Sequence, residues 1–327
     1  MAEGGDLYEQ LVDTANAIYG AHAHHRALHS KGTWCGGIFT ASPEAAALSR
    51  AKHFRGEPVP ALIRFSSGSG DPESHDAQRE ARGMAVKLRP PDGEEADILA
   101  VTTPAFVART PEDFLELLRL RIPDPETGQP NMEKLGAYLG DHPEAQTAIQ
   151  ATIGSEPPAS FATLVYFSPH SFKLLSADGG ETWVRYRWRP EAGEATIPDD
   201  EARERGRDYL GEELAERLRA SSVGFELLLQ IAAEDDPIDD PTAVWPDDRE
   251  LVVAGRLEIT EVVDDPESDD HIEVFDPTRV ADGVELSEDP VLHARARAYS
   301  VSAYRRLGLD VPNPSVPPGA TAPGTTE

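Results

Sequence analysis

The chain has 327 residues, 39% hydrophobic and 27% charged, a composition that predicts a folded protein with a substantial core. Its 59 acidic residues outnumber its 30 basic residues, and the formal net charge of −29 disfavours binding to nucleic acid or to an anionic membrane. A single cysteine, Cys35, excludes an internal disulfide. Since there is also no apolar run of ~18 residues and no secretory signal pattern, we expect a cytoplasmic protein without a membrane span.

Apolar periodicity and turn residues predict the elements in chain order. The first half is predicted to contain helices at 6–22, 43–53, 111–121 and 132–153 and strands at 61–67, 83–88 and 97–103. The second half is predicted to contain strands at 160–167, 172–177, 182–190 and 250–263 and helices at 199–220 and 289–307. This order predicts an α+β protein with a large antiparallel sheet or barrel and helices packed around it. We expect one domain over residues 1–310 and a disordered Pro/Gly/Thr-rich tail over residues 311–327.

Four polar residues of the last predicted helix share one face, since Arg295, Tyr299, Ser302 and Arg306 follow at i, i+4, i+7 and i+11. One interpretation is a solvent-exposed face with incidental spacing. The other is a tyrosinate ligand, because an arginine one turn away favours the anion of a side chain whose ordinary pKa is about 10. Arg306 would then lie roughly 10 Å along the axis, which suits a cofactor with a charged rim such as haem.

The remaining histidines and the cysteine offer weaker signals. The cluster His22, His24 and His25 could bind zinc, but no acidic or cysteine partner follows at the usual spacing. We interpret Cys35 as a small buried residue, since no resolving cysteine exists. Six further histidines are interpreted as surface or structural residues: His53, His75, His142, His170, His271 and His293.

Five short motifs follow one another along the chain. They are R-x-x-H at residues 26–29, "IRFS" at 63–66, "RGMAVK" at 82–87, "TPAF" at 103–106, and R-x-x-x-Y at 295–299 with "RLG" after it. In this order they resemble the catalase superfamily, in particular the small catalase-related peroxidases, over roughly residues 20–310. The resemblance implies a catalase-like antiparallel β-barrel surrounded by helices, and haem held by tyrosine.

The resemblance also implies roles for individual residues. His29 would be the distal histidine that moves a peroxide proton, oriented by a hydrogen bond between its ring and Ser66. Tyr299 would be the proximal ligand of a ferric haem b, with Arg295 as its partner. The remaining cofactor contacts implied are Arg26, Arg64 and Arg306 toward the propionates, and Ser302, Val101 and Phe106 in the pocket wall.

The chain departs from full catalases on the distal side. Their distal asparagine is replaced by Val101, Thr102 could supply part of the missing hydrogen bond, and Val107 stands where they have a second phenylalanine after Phe106. We therefore expect weak hydrogen peroxide dismutation at most. The predicted activity is reduction of hydrogen peroxide or organic hydroperoxides by a small-molecule electron donor.

Two alternatives stay open at this point. A haem enzyme that rearranges fatty acid hydroperoxides, as an allene oxide synthase does, would suit a threonine in the distal position. A haem-binding protein without enzymatic activity would show no peroxide turnover. A homodimer is a further expectation that the sequence leaves untested.

Overall fold

A computed structural model describes residues 5–91, 94–267 and 271–311. The strands are β1 (Gly32–Ala41), β2 (Val59–Ser67), β3 (Arg82–Leu88), β4 (Ala96–Val101), β5 (Tyr166–Phe167), β6 (Phe172–Leu175), β7 (Glu181–Pro190), β8 (Val223–Ile231), β9 (Leu251–Val262) and β10 (Val284–Leu286). The helices are α1 (Leu7–Tyr19), α2 (Pro43–Leu48), α3 (Pro111–Leu120), α4 (Met132–Asp141), α5 (Gln146–Gly154), α6 (Asp199–Glu204), α7 (Tyr209–Ala220) and α8 (Pro290–Arg306). Short 3-10 helices lie at Lys52–Phe54, Pro143–Ala145 and Phe161–Thr163.

Eight of the strands form a closed antiparallel barrel. Their order is β7-β5-β4-β3-β2-β1-β9-β8, and β8 pairs again with β7 to close the ring. Strands β6 and β10 extend outward from β7. The predicted α+β barrel surrounded by helices is therefore confirmed, and closure removes the exposed edges that an open sheet would leave.

The barrel is filled by aromatic and aliphatic side chains. Phe65 is fully buried and stacks on Phe161 with ring centroids 5.3 Å apart, and Tyr166 and Phe225 complete the cluster. Because side chains alternate along a strand, the neighbours of Phe65 point out of the barrel. This alternation presents the polar residues of β2 to the helices outside.

Four predicted elements differ from those observed. The helix predicted at 132–153 is interrupted at His142, because the residue before Pro143 avoids helical geometry. The helix predicted at 199–220 is interrupted at Arg205, which adopts an extended backbone before Gly206. The helix predicted at 43–53 ends at Leu48. In the strand predicted at 160–167, Phe161–Thr163 form a 3-10 turn capped by the Ser160 hydroxyl, and only Tyr166–Phe167 are a strand.

Strands β1, β8 and β10 were not predicted. Strand β1 contains three glycines and no regular alternation, and β8 is a nearly continuous apolar run whose periodicity cannot distinguish strand from helix. All of the predicted tail except its first residue lies outside the described residues. Across residues 5–91, 94–267 and 271–311, none of the helices has both the length and the apolar character that crossing a bilayer requires.

Helices α1, α3 and α8 pack together beside the barrel. Leu11 of α1 and Leu115 and Leu118 of α3 form a second, smaller apolar core. Helix α1 begins with a capping box in which Asp6 accepts hydrogen bonds from the first turn and Glu9 bonds back to the Asp6 backbone. These three helices thereby enclose a space against the barrel wall.

Candidate active site

One large cavity lies between the outer face of the barrel and helices α1, α3 and α8. Its volume is about 310 Å³, at the lower end of the range for ligand and cofactor sites. Its wall is largely apolar, with a few polar groups pointing inward. The apolar lining from the three helices comprises Leu11, Val12, Ala15, Pro111, Phe114, Leu118, Val291, Ala294 and Ala298.

The barrel wall of the cavity is built from residues at one level of four neighbouring strands. The register pairs Gly32 with Ser66, Ser66 with Gly83 and Gly83 with Val101. Arg64 precedes Ser66 by two residues and therefore faces the same side. The strand pairing, rather than sequence proximity, brings these groups to one site.

His29 is a half-buried imidazole at this wall. Its Nδ1 lies 2.9 Å from the Ser66 hydroxyl, and its backbone occupies the left-handed region with φ 55°, which is uncommon for histidine and typical of functional turns. Burial, reinforced by Arg64, Arg295 and other arginines, lowers the pKa of His29 to about 3. The ring is therefore neutral near pH 7, and its Nε2 is free of the Ser66 contact.

Gly83 leaves the space in which this pair fits. A Cβ atom at Gly83 would lie 2.6 Å from the Ser66 hydroxyl and 3.1 Å from the His29 Nδ1. Gly32 plays the same part for Arg64, because its Cβ would lie 2.5 Å from the guanidinium carbon. A side chain at either glycine would therefore force these groups to shift.

Tyr299 enters the cavity wall from α8. Its hydroxyl accepts hydrogen bonds from Arg295 Nε at 2.8 Å and Nη2 at 2.6 Å. Two donors from one cation stabilise negative charge on the phenol oxygen. The predicted pairing of Arg295 with Tyr299 is present.

Arg295 is itself held by the buried histidine His170, which its sequence context alone marks only as a surface or structural residue. Arg295 Nη1 lies 2.8 Å from His170 Nε2, and since arginine only donates, Nε2 must accept. His170 Nδ1 therefore carries the proton and donates to Asp289 Oδ2 at 2.6 Å. The other oxygen of Asp289 caps α8 by accepting from Val291 and Leu292. No local motif around residue 170 signals this contact, which spans 125 residues.

Three arginines gather at one end of the cavity, and we call Arg26, Arg64 and Arg306 the arginine cluster. All three line the cavity. Arg26 and Arg64 each place the guanidinium carbon 5.5 Å from the ring centroid of Trp34, a cation–π arrangement. Burial lowers the pKa of Arg64 well below its ordinary value, and its Nε and that of Arg306 have no hydrogen-bond partner.

The predicted site residues come together with one exception. His29, Ser66, Arg26, Arg64, Val101, Phe106, Arg295, Tyr299, Ser302 and Arg306 all line this cavity. Thr102 does not line it: the Thr102 hydroxyl accepts a hydrogen bond from the Arg82 backbone at 3.0 Å, at the end of the β3–β4 pair. The position of the missing asparagine is therefore occupied by an apolar side chain alone.

The residues present fit a haem. The apolar walls suit the porphyrin plane, the arginine-backed phenol is a tyrosinate donor, and the unpaired nitrogens of the arginine cluster suit carboxylates. The antiparallel barrel and this site together match the class of protein that the sequence motifs predict, a barrel protein that binds haem.

Comparisons with known proteins agree with this class. The model of the family described as "Catalase" matches residues 9–317. The chain is 40% identical to a "Catalase-related peroxidase" of Mycolicibacterium paratuberculosis, over 94% of this chain and 97% of that protein. It is 31% identical to a protein of the same description from Synechococcus elongatus, over 93% and 90% of the two chains.

Solved structures show the same fold. A fungal catalase superposes with a TM-score of 0.77 at 24% identity, covering 88% of this chain and 60% of that one. A bacterial catalase gives the same TM-score at 23% identity and covers 88% and 58%. The chain belongs to the catalase family.

Proposed function

We propose that the protein is a haem-dependent peroxidase that reduces hydrogen peroxide or organic hydroperoxides at the expense of a small-molecule donor. The observation that carries this proposal is the presence, in one cavity, of a neutral imidazole and an arginine-backed phenol. The relatives described as catalase-related peroxidases support it over nearly the whole chain. A haem bound here supplies a redox-active iron at which a peroxide is reduced.

The residues of this chain provide the proton transfers. His29 accepts a proton at Nε2 from the peroxide, provided that Nδ1 carries its hydrogen and donates to Ser66. The same nitrogen then returns the proton to the departing oxygen, which leaves as water or an alcohol. Ser66 fixes the ring orientation, and the low pKa of His29 keeps the base unprotonated until a peroxide arrives.

Tyr299 and the arginine cluster would hold the cofactor. If a haem is bound here, the Tyr299 phenol oxygen, charged with help from Arg295, would donate to its iron, and the guanidiniums would pair with its propionates. We propose haem b in the ferric state, bound without a covalent link, because Cys35 is the sole cysteine and c-type attachment needs Cys-x-x-Cys-His. A single domain, a homodimer and a cytoplasmic location remain predictions.

The apolar residue at position 101 favours peroxidase over dismutase chemistry. Val101 lines the cavity and offers no hydrogen bond to a second hydrogen peroxide molecule. The rearrangement alternative depended on a hydroxyl from Thr102, which does not line the cavity. We therefore propose that donor oxidation, rather than oxygen release, consumes the oxidising equivalents.

The first test is the visible spectrum of the purified protein supplied with haem, followed by peroxide assays. We expect a Soret band that is lost or shifted in Tyr299→Phe, and donor oxidation that His29→Ala slows by ~10²–10⁴-fold. His271→Ala, an exposed histidine, is the matched control and should leave the rate unchanged. Absence of a Soret band would contradict the proposal, and fast oxygen release without donor would contradict its peroxidase part.

A further inference from the structure

Glu267 joins two members of the arginine cluster that come from opposite ends of the chain. Its carboxylate accepts from Arg26 Nη2 at 2.6 Å and Nη1 at 3.2 Å, and from Arg306 Nη1 at 2.8 Å. It also accepts from the Glu273 backbone at 3.1 Å. The Glu267 side chain is only 9% exposed, so these contacts are shielded from solvent.

The carboxylate lies behind the arginines rather than in the cavity. Arg26 and Arg306 line the cavity and Glu267 does not. Arg26 precedes the distal candidate His29 by three residues, and Arg306 follows Tyr299 by seven. Glu267 therefore links the segment that carries the imidazole to the helix that carries the phenol.

The two arginines need such a partner to lie side by side. Burial lowers the pKa of Arg26, the neighbouring charge of Arg306 lowers it further, and the Glu267 carboxylate opposes both effects. The nearby Glu273 carboxylate is engaged by Arg89 at 2.9 Å and Lys87 at 3.4 Å instead. Asp265 adds a second negative charge that acts on Arg26 and Arg64. The three guanidiniums still outnumber these two carboxylates, so the cluster keeps a net positive charge for a ligand.

We propose that Glu267 is a positioning residue that holds Arg26 and Arg306 together as a paired site for the two carboxylates on one edge of the cofactor. This proposal rests on the proposed haem-dependent function. One glutamine cannot replace the bridge, because its amide has a single acceptor oxygen and would direct an N–H group at a guanidinium. Aspartate keeps the charge but is one methylene too short to reach both arginines.

The test titrates cofactor-free protein with haem and with haem dimethyl ester, whose carboxylates are blocked, and follows the Soret absorbance. We expect Glu267→Gln and Glu267→Asp to weaken haem binding by about tenfold or more and to leave ester binding unchanged. Glu234→Gln removes one exposed carboxylate from the turn after β8 and should change neither.

Each other outcome overturns the proposal. Unchanged or tighter haem binding by both variants would show that Glu267 does not position the arginines. If haem binding were weakened by Glu267→Gln but not by Glu267→Asp, only the charge of Glu267 would matter, and Glu267 would not be a positioning residue. Equal losses for haem and ester would show that Glu267 supports the fold rather than the carboxylate site. Failure of the wild-type protein to bind haem would instead overturn the proposed function, and this inference with it.

Discussion

Gly83 is important to the site because it has no side chain. Ser66 and His29 approach the β3 backbone so closely that a methyl group at Gly83 would overlap with the serine hydroxyl. Gly83 does not have a positive φ, so the requirement is space rather than backbone freedom. The geometry of the proposed proton-transfer pair therefore depends on a residue that takes no chemical part.

This argument predicts the effect of Gly83→Ala. The added methyl should displace the imidazole and slow peroxide-dependent donor oxidation by about tenfold or more, since small misplacements are costly in catalysis. The haem spectrum should persist, because Tyr299 lies on another element. Gly136→Ala on exposed α4, where nothing lies within 4 Å of the added atom, should leave the rate unchanged. A normal rate in Gly83→Ala would contradict the argument.

In helix α8, one residue contributes both to the stability of the helix and to the geometry of the site. Its N-cap Asp289 uses one oxygen to satisfy the first turn and the other to hold His170, which in turn holds Arg295 against Tyr299. The buried Asp289 carboxylate therefore caps the start of α8 and also supports the orientation of the Tyr299 phenol. Helix α1 has a comparable N-cap at Asp6 without a buried histidine partner.

We predict that Asp289→Asn lowers the free energy of unfolding by ~1–3 kcal/mol, because an amide N–H would face the His170 N–H in the interior. The haem spectrum should also shift as Arg295 loses its support. Asp6→Asn is the matched control, since asparagine caps helices about as well as aspartate. Chemical denaturation checks both variants. Equal effects at the two caps would mean that the His170 contact contributes nothing.

The free energy of unfolding of the whole molecule depends on pH through histidines whose pKa values are lowered in the fold. His53 packs against Phe54 with ring centroids 4.2 Å apart, and burial lowers its pKa to about 4. His170 is buried and His29 is half-buried, and desolvation lowers the pKa of both. The unfolded chain binds protons at these residues near pH 6.5, before the folded protein does. The free energy of unfolding should therefore fall as the pH drops from about 6.5 toward 4.

For His53 alone the loss should reach about 2 kcal/mol between pH 7 and pH 5. In His53→Leu this contribution is absent, so the variant should lose about that much less than the wild type over the same interval. Urea denaturation at the two pH values measures the difference. His271→Ala, which is exposed, should behave as the wild type does. A pH dependence in His53→Leu identical to the wild type would contradict the assignment.

The sequence alone determined those features that depend on local periodicity. The face of α8 with Arg295, Tyr299, Ser302 and Arg306 follows from helical spacing, and the four residues do line one cavity. The ordered motifs indicated the barrel and brought His29 and Ser66 into one hypothesis. These signals are readable because they lie within single elements or in short characteristic stretches.

Only the tertiary structure determines the contacts between residues that are far apart in the chain. The roles of His170, Asp289, Gly83 and Glu267 depend on strand register and on contacts between residues far apart in the chain, which no local pattern encodes. Thr102 was misleading for the same reason: alternation along β4 points Val101 into the cavity, and the Thr102 hydroxyl bonds to β3 instead. Which side chain faces the site is set by the pairing of neighbouring strands, and that pairing exists only in the folded chain.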